Sequence, residues 1–184
     1  MTDLTPNPQV IHNALLSIPH AKFVLTCCHG DHRDGIITRW VQRCSTEPPM
    51  LVVAIPKGKV IEPMLRDARA FALCMVQEND RSMQRLFGND HEIGDDPFLS
   101  ISVQQSVTGM PILKQSLVWF DCKLEGHLSP DADCRLYLGQ VVAAHISEQQ
   151  KITAYPNEVI VPPTSNRRVS TRARSIETSK KLKQ

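Results

Sequence analysis

The residues of this chain best suited to meet a ligand are gathered in one stretch, GIITRWVQRCSTEPPMLVVAI, residues 35–55. A β-rich piece (Ile36, Ile37, Thr38) leads into a polar, irregular segment over residues 39–46, then a Glu47-Pro48-Pro49 turn, then an apolar run over residues 50–55. Two flanking strands would hold the polar segment on a rigid base, with main-chain amides and the hydroxyls of Thr38, Ser45 and Thr46 available to a ligand, the usual placement for binding groups. Other chemistry is hard to find. No acid–base dyad or nucleophile arrangement can be read. Asp31, His32 and Asp34 fall in a turn-rich connection and read as solvated rather than as a metal site. The six cysteines (27, 28, 44, 74, 122 and 134) contain no CxxC pair and no zinc-like spacing with histidines. Four of them lie in apolar runs, where a free thiol acts as a small hydrophobe.

The elements around this segment are short. Residues 23–28 (FVLTCC) form a strand, and residues 29–35, rich in Gly and Asp, form the longer loop of a hairpin with the next strand. Ile11, Leu15 and Ile18 recur at helical spacing, predicting a helix over residues 10–18 that ends at Pro19. After residues 50–55 come a basic turn, Pro56-Lys57-Gly58-Lys59, and a helix over 62–69 with Pro63 in its first turn. Asn79-Asp80 caps a helix over 81–87. Residues 91–97 are a loop, a strand is expected within 100–107, and two long strands run over 116–128 and 135–146. Strands joined by turn signals, with few helices, predict a mainly β, antiparallel barrel.

The stretch over residues 23–55 resembles the opening of the flavin reductase-like family of FMN-binding split barrels. The shared order is a strand, a polar turn ending in Gly, a Thr-bearing strand, an aromatic, a Ser-bearing loop, Pro-Pro and an apolar strand. The Thr38-x-Trp40 arrangement is closer to the flavoredoxin branch than to the short flavin reductases that serve monooxygenases. Downstream, Phe71-Ala72-Leu73-Cys74-Met75-Val76, Gln84-Arg85-Leu86-Phe87, Thr108-Gly109-Met110-Pro111-Ile112-Leu113 and Leu138-Gly139-Gln140-Val141 resemble later family segments, so the likeness runs over about residues 22–146. The resemblance implies a six-stranded, Greek-key split barrel that binds FMN (or FAD), takes electrons from NAD(P)H, and works as a homodimer with the flavin near the interface. A redox partner protein would be the acceptor.

An FMN site needs amides, hydroxyls and cations for the phosphate, and apolar flanks with amide partners for the ring. The resemblance puts Thr38, Arg39, Gln42, Cys44 and Ser45 at the flavin, with the main chain of Ile37, Trp40 and Val41. Arg39, Lys57 and Lys59 are the cations on offer to the phosphate. Trp40 suits either the ring or the core, and Phe87 resembles a family aromatic near the ring but has the spacing of a core residue. Three positions depart from the pattern: Ile61 where a phosphate-binding Ser or Thr is common, Cys74 where Asn is common, and Ala132-Asp133-Cys134 where the reductases carry Gly-Asp-His. Flavin binding survives these changes more readily than pyridine-nucleotide use. The alternative readings are a non-catalytic flavin carrier or sensor on the same fold and, from another class, a polyanion-binding module.

A chain of 184 residues with 41% hydrophobic and 22% charged residues reads as one globular domain. The expected organisation is a helical lead-in (1–20), the barrel (21–150) and an extended basic arm (151–184). Residues 167–184 hold seven basic side chains against Glu177, a local charge of +6 in a chain of net +2. No aromatic interleaves these charges as stacking on nucleic acid would want, so the arm reads as solvated. No segment approaches the ~20 apolar residues of a membrane span. The first residues lack the basic start and apolar core of a signal peptide, and the unpaired cysteines predict a reducing cytoplasm.

Overall fold

The computed structural model describes residues 7–89 and 95–148. The arm at 151–184 lies outside them. Helix α1 (Pro8–Leu16) begins where the Asn7 side chain accepts from the Gln9 and Val10 amides, with Pro8 in the first turn where its missing N–H costs nothing. It buries no residue, and Val10, Ile11, Leu15 and Leu16 are all exposed.

Strands β1 (Phe23–His29) and β2 (His32–Thr38) form an antiparallel hairpin in register from Phe23↔Thr38 to His29↔His32. Its loop is only Gly30-Asp31, tighter than the sequence suggests, because Gly30 adopts φ +59°. Strand β3 (Val41–Ser45) occupies most of the segment expected to be irregular. Its polar side chains Gln42 and Arg43 are exposed, so it lacks the apolar run that marks a buried strand. Strand β4 (Met50–Pro56), helix α2 (Ile61–Ala68), strand β5 (Ala70–Met75) and helix α3 (Arg81–Phe87, capped by Asp80) follow as the pattern predicts. The strand expected within 100–107 is β6 (Val103–Gln105), which forms a two-stranded hairpin with β7 (Pro111–Leu113). Strands β8 (Val118–Leu128) and β9 (Cys134–Ile146) complete the chain.

The main sheet has seven antiparallel strands in the order β2-β1-β5-β8-β9-β4-β3. The expected number was six, and the difference lies in one short break. β2 and β3 lie end to end in the chain, separated by Arg39 and Trp40. The first pairs with β1 and the second with β4, at opposite ends of the order. The amide of Ala54 donates to the Trp40 carbonyl (2.9 Å), carrying the ladder past the break. Counted as one bent strand, β2–β3 closes a six-membered ring.

The interior is filled by Leu25, Val53, Ile55, Leu65, Phe71, Leu73, Met83 and Phe87, all at most 1% exposed. The thiols expected in apolar runs fit this core. Cys27, Cys74 and Cys122 are buried, and desolvation pushes the Cys74 and Cys122 thiols up to about 12. The Thr108-Gly109 turn is tied to the barrel through buried Asp121, whose carboxylate accepts from the Thr108 amide (2.9 Å) and hydroxyl.

Gly139 on β9 faces the crossing ring of Phe71. A Cβ there would lie 2.5 Å from Phe71 Cζ and 2.9 Å from Cys122 Cβ. Gly139→Ala is therefore expected to destabilise the barrel by about 1–3 kcal/mol, the usual effect of overpacking, read as a lower denaturant midpoint. An unchanged midpoint would show that the Phe71 ring can move aside.

Candidate functional site

The break between β2 and β3 is held by Thr38. Its hydroxyl donates to the Ala54 carbonyl (3.3 Å) and accepts from the Trp40 amide (3.3 Å), and the residue is buried. Trp40, next along, is 56% exposed. A large aromatic so open to solvent contributes little to the core, and its ring is accessible from outside the barrel. Ile37 and Val41 are half-buried on either side. Arg39 does not stand ready for an anion: its guanidinium makes a two-point contact with Glu78, Nη1 to Oε2 at 2.8 Å and Nη2 to Oε1. The Arg39 hydrogen bonds hold the Glu78 carboxyl below its ordinary range, although burial works the other way. Buried Lys22 donates to the Glu78 carbonyl. Between Ile18, His20, Lys22, Arg39, Val76 and Glu78 opens a cleft of about 520 Å³.

Along β4, Trp40 stands beside Ala54, three residues before Lys57. At ~3.3 Å per residue that is about 10 Å. The turn at Lys57-Gly58-Lys59 is fastened on both sides. The Lys57 amide donates to the Asp133 carbonyl (2.8 Å), and its ammonium donates to the Pro130 carbonyl (2.8 Å). Gly58 takes φ +86°, which its missing Cβ permits, and its amide donates to Glu62 Oε2 (2.8 Å). Helix α2 starts just beyond with no side-chain cap at Val60. Of its first-turn amides, that of Glu62 donates to the Lys59 carbonyl (3.1 Å) and Pro63 has no N–H, so Ile61 is the one that a side-chain cap would ordinarily meet.

Cys44 and Ser45 sit at the other end of β4, where Ser45 pairs with Met50. The register shifts between Arg43 and Ser45, so exposed Cys44 is the unpaired residue of a bulge. Gln42 is exposed opposite Val52. Thr38, Arg39, Trp40 and Val41 are thus brought towards Lys57 and Lys59, while Cys44 and Ser45 are not. Phe87 is buried at 1% exposure on α3, its ring 5.3 Å from that of Phe98, and 3.0 Å from where a Gly35 Cβ would be.

The triplet Ala132-Asp133-Cys134 abuts the basic turn, with Cys134 in register with Pro56. Burial, then Asp133, raises the Cys134 thiol, against the pull of Lys57. Sequence reasoning missed a buried cluster behind the turn. Glu62 is 4% exposed; its Oε1 accepts from the Tyr137 hydroxyl (2.8 Å) and from the Arg135 guanidinium. A first-turn acid reads only as a helix-dipole residue, so nothing in the sequence linked Glu62 to Arg135 and Tyr137. Burial acts to raise the Glu62 carboxyl. The Tyr137 hydroxyl, the Gly58 amide and the Arg135 charge outweigh it and hold the carboxyl below its ordinary range. Among the described residues, no three His, Cys, Asp or Glu side chains form a metal-holding group, and no helix is long and apolar enough to cross a membrane.

Residues 15–161 match the family described as flavin reductase like domain. The chain is 23% identical over 145 residues to diflavin flavoprotein A 1 of a Synechocystis species, an alignment covering 78% of this chain and 25% of that protein. The chain spans about a quarter of the length of these curated relatives. Among solved structures, the Streptomyces globisporus C-1027 NADH:FAD oxidoreductase superposes with a TM-score of 0.67 at 18% identity, covering 80% of this chain and 87% of that one. An FMN-binding protein from Thermus thermophilus with bound p-hydroxybenzaldehyde superposes at 0.66 and 19% identity, covering 81% and 82%. At such identities these likenesses speak for the fold.

Because the folded-state Glu62 carboxyl is depressed, the stability it contributes is complete above the ordinary value of 4.5 and is lost as pH falls through the lowered one. The stability gap between wild type and Glu62→Gln should therefore narrow as pH drops below 4.5. Denaturant midpoints across that range check it, and a constant gap would mean that the ionised carboxylate is not the stabilising species.

Proposed function

The chain belongs to the flavin reductase-like family, and on that premise we propose that it binds FMN and passes electrons through it as a flavoredoxin-type oxidoreductase. The observation that carries this reading is the approach of the Thr38–Trp40 break to the Lys57-Gly58-Lys59 turn along one end of β4. The two parts match the two demands of the ligand. The turn carries Lys57 and Lys59 next to the Ile61 amide at the start of α2, a donor set suited to a phosphate dianion. The break offers the open face of Trp40 with Val41 and Ile37, a wall suited to a flat, largely apolar ring. Gln42, Cys44 and Ser45 lie farther along β3, towards the end of β4 remote from the basic turn. Arg39, engaged by Glu78, acts on this reading by fixing the break rather than by meeting the phosphate. FAD would use the same contacts for its FMN half.

When bound, the flavin supplies the redox chemistry, accepting a hydride (two electrons and a proton) from a reduced pyridine nucleotide and giving up the electrons to a second acceptor. The chain's part is to hold the ring, limit water at it and keep its phosphate end fixed. The Synechocystis diflavin flavoprotein carries about three quarters of its length outside the alignment with this chain, and a redox partner protein is our choice of acceptor. We place a second copy of the chain on the outer face of β4 and β9, where the cross-strand pairs Val52↔Leu138 and Ala54↔Leu136 put half-buried apolar side chains on the outside of the barrel. The unpaired thiols favour a cytoplasmic setting.

One observation favours a second reading, a flavin carrier or sensor without reductase activity. Cys134 stands where the reductases carry a histidine, and its raised thiol offers no charge to a nicotinamide. Titrating flavin-stripped protein with FMN and following flavin fluorescence tests the shared premise. The reading predicts saturable quenching near one flavin per subunit, and no quenching would overturn it. NADH oxidation with excess FMN then separates the two: turnover supports the oxidoreductase, and its absence with either NADH or NADPH supports the carrier.

A further inference from the structure

We propose that Glu62 is a positioning residue for the phosphate end of the flavin, its buried carboxylate setting the shape in which the Lys57-Gly58-Lys59 turn meets that phosphate. The inference rests on the phosphate role given to the turn above. Glu62 lies beneath the turn rather than in it, at 4% exposure, and reaches back from the first turn of α2 to accept from the Gly58 amide at 2.8 Å. Gly58 is the residue with φ +86° between the two lysines, so the bond fixes the point at which the chain reverses. The helix is joined to the same turn by the Glu62 amide, which donates to the Lys59 carbonyl at 3.1 Å. Both ends of residue 62 therefore hold the loop that carries the cations.

A buried carboxylate close to a phosphate site would ordinarily repel the ligand. Here its charge is met by the Arg135 guanidinium on Oε1, beside the Tyr137 hydroxyl at 2.8 Å. The pairing meets the charge of Glu62, and the Lys57 ammonium is bonded to the neutral carbonyl of Pro130 rather than to a carboxylate. The division between the two oxygens also explains why a carboxylate, rather than an amide, is needed. Oε1 faces two donors, one of them charged, and Oε2 faces a third donor, the Gly58 N–H. A glutamine has one acceptor oxygen. With that oxygen kept on Arg135 and Tyr137, its NH2 group would be turned against the Gly58 N–H, donor to donor.

The test compares two ligands that differ only at the phosphate. Dissociation constants for FMN and riboflavin are measured on the full chain for wild type, Glu62→Gln and Glu62→Asp, with thermal melts to establish folding. Glu62→Asp keeps a negative charge near Arg135 but withdraws the carboxylate from Gly58, so it provides a folded variant if the glutamine proves too disruptive. Wild type should prefer FMN. Both variants should lose about tenfold of that preference, the scale of one hydrogen bond to a charged group, while riboflavin affinity is unchanged. Folded variants that keep the full preference would overturn the positioning role and leave the phosphate site standing. A parallel loss of both affinities would also overturn it, assigning Glu62 to stability alone. A wild type that binds riboflavin as well as FMN would overturn the turn as a phosphate holder, and this role with it.

Discussion

Closure of the barrel at Arg39-Trp40 is the constraint on which the rest of the structure depends. A sheet edge left open would expose unpaired N–H and C=O groups. Here one bent strand serves both edges, pairing with β1 through β2 and with β4 through β3. The bend is held by few groups: the Thr38 hydroxyl between Ala54 and Trp40, the Ala54–Trp40 main-chain bond, and the Arg39–Glu78 contact outside. Because neighbouring strands fix the backbone there, Trp40 is turned outward without a loop to carry it. A rigid base with one exposed aromatic is what a flat ligand needs, since little conformational entropy remains to be lost on binding.

The second support is electrostatic. Glu62, Arg135 and Tyr137 form a buried polar group that joins α2, β9 and the basic turn. Removing one partner from such a cluster is costly because the charge left behind is desolvated. The Arg135 Nε is itself buried without a hydrogen-bond partner, so the cluster is held by the other guanidinium contacts. Lys57 stands outside this pair, its ammonium bonded to the Pro130 carbonyl.

Most of the fold was legible because its signals are local. The helix cap at Asp80, the apolar runs of β1, β4 and β5, and the long strands β8 and β9 each depend on a few neighbouring residues. What escaped the sequence depends on distant partners. β3 reads as a loop until β4 is beside it, and the six-strand count becomes a seven-strand sheet only through the two-residue break. The candidate site was legible as a region and less so in detail. Trp40 and the basic turn were visible as residue types. That Glu78 occupies Arg39, that Cys44 lies in a bulge of β3 against β4, and that Arg135 and Tyr137 meet the Glu62 carboxylate are facts of packing between separate segments. The Thr108-Gly109 turn was equally plain in sequence, whereas its anchor, Asp121, was not.

The central claim is that the break and the basic turn form one flavin site. A crystal structure of the full chain grown with FMN tests it most directly. The account predicts the phosphate within hydrogen-bonding distance of the Lys57-Gly58-Lys59 turn and the ring against Trp40. Flavin seated elsewhere, for instance in the groove of about 580 Å³ between Arg69, Val107, Lys123 and Val142, with the turn and Trp40 uncontacted, would contradict it.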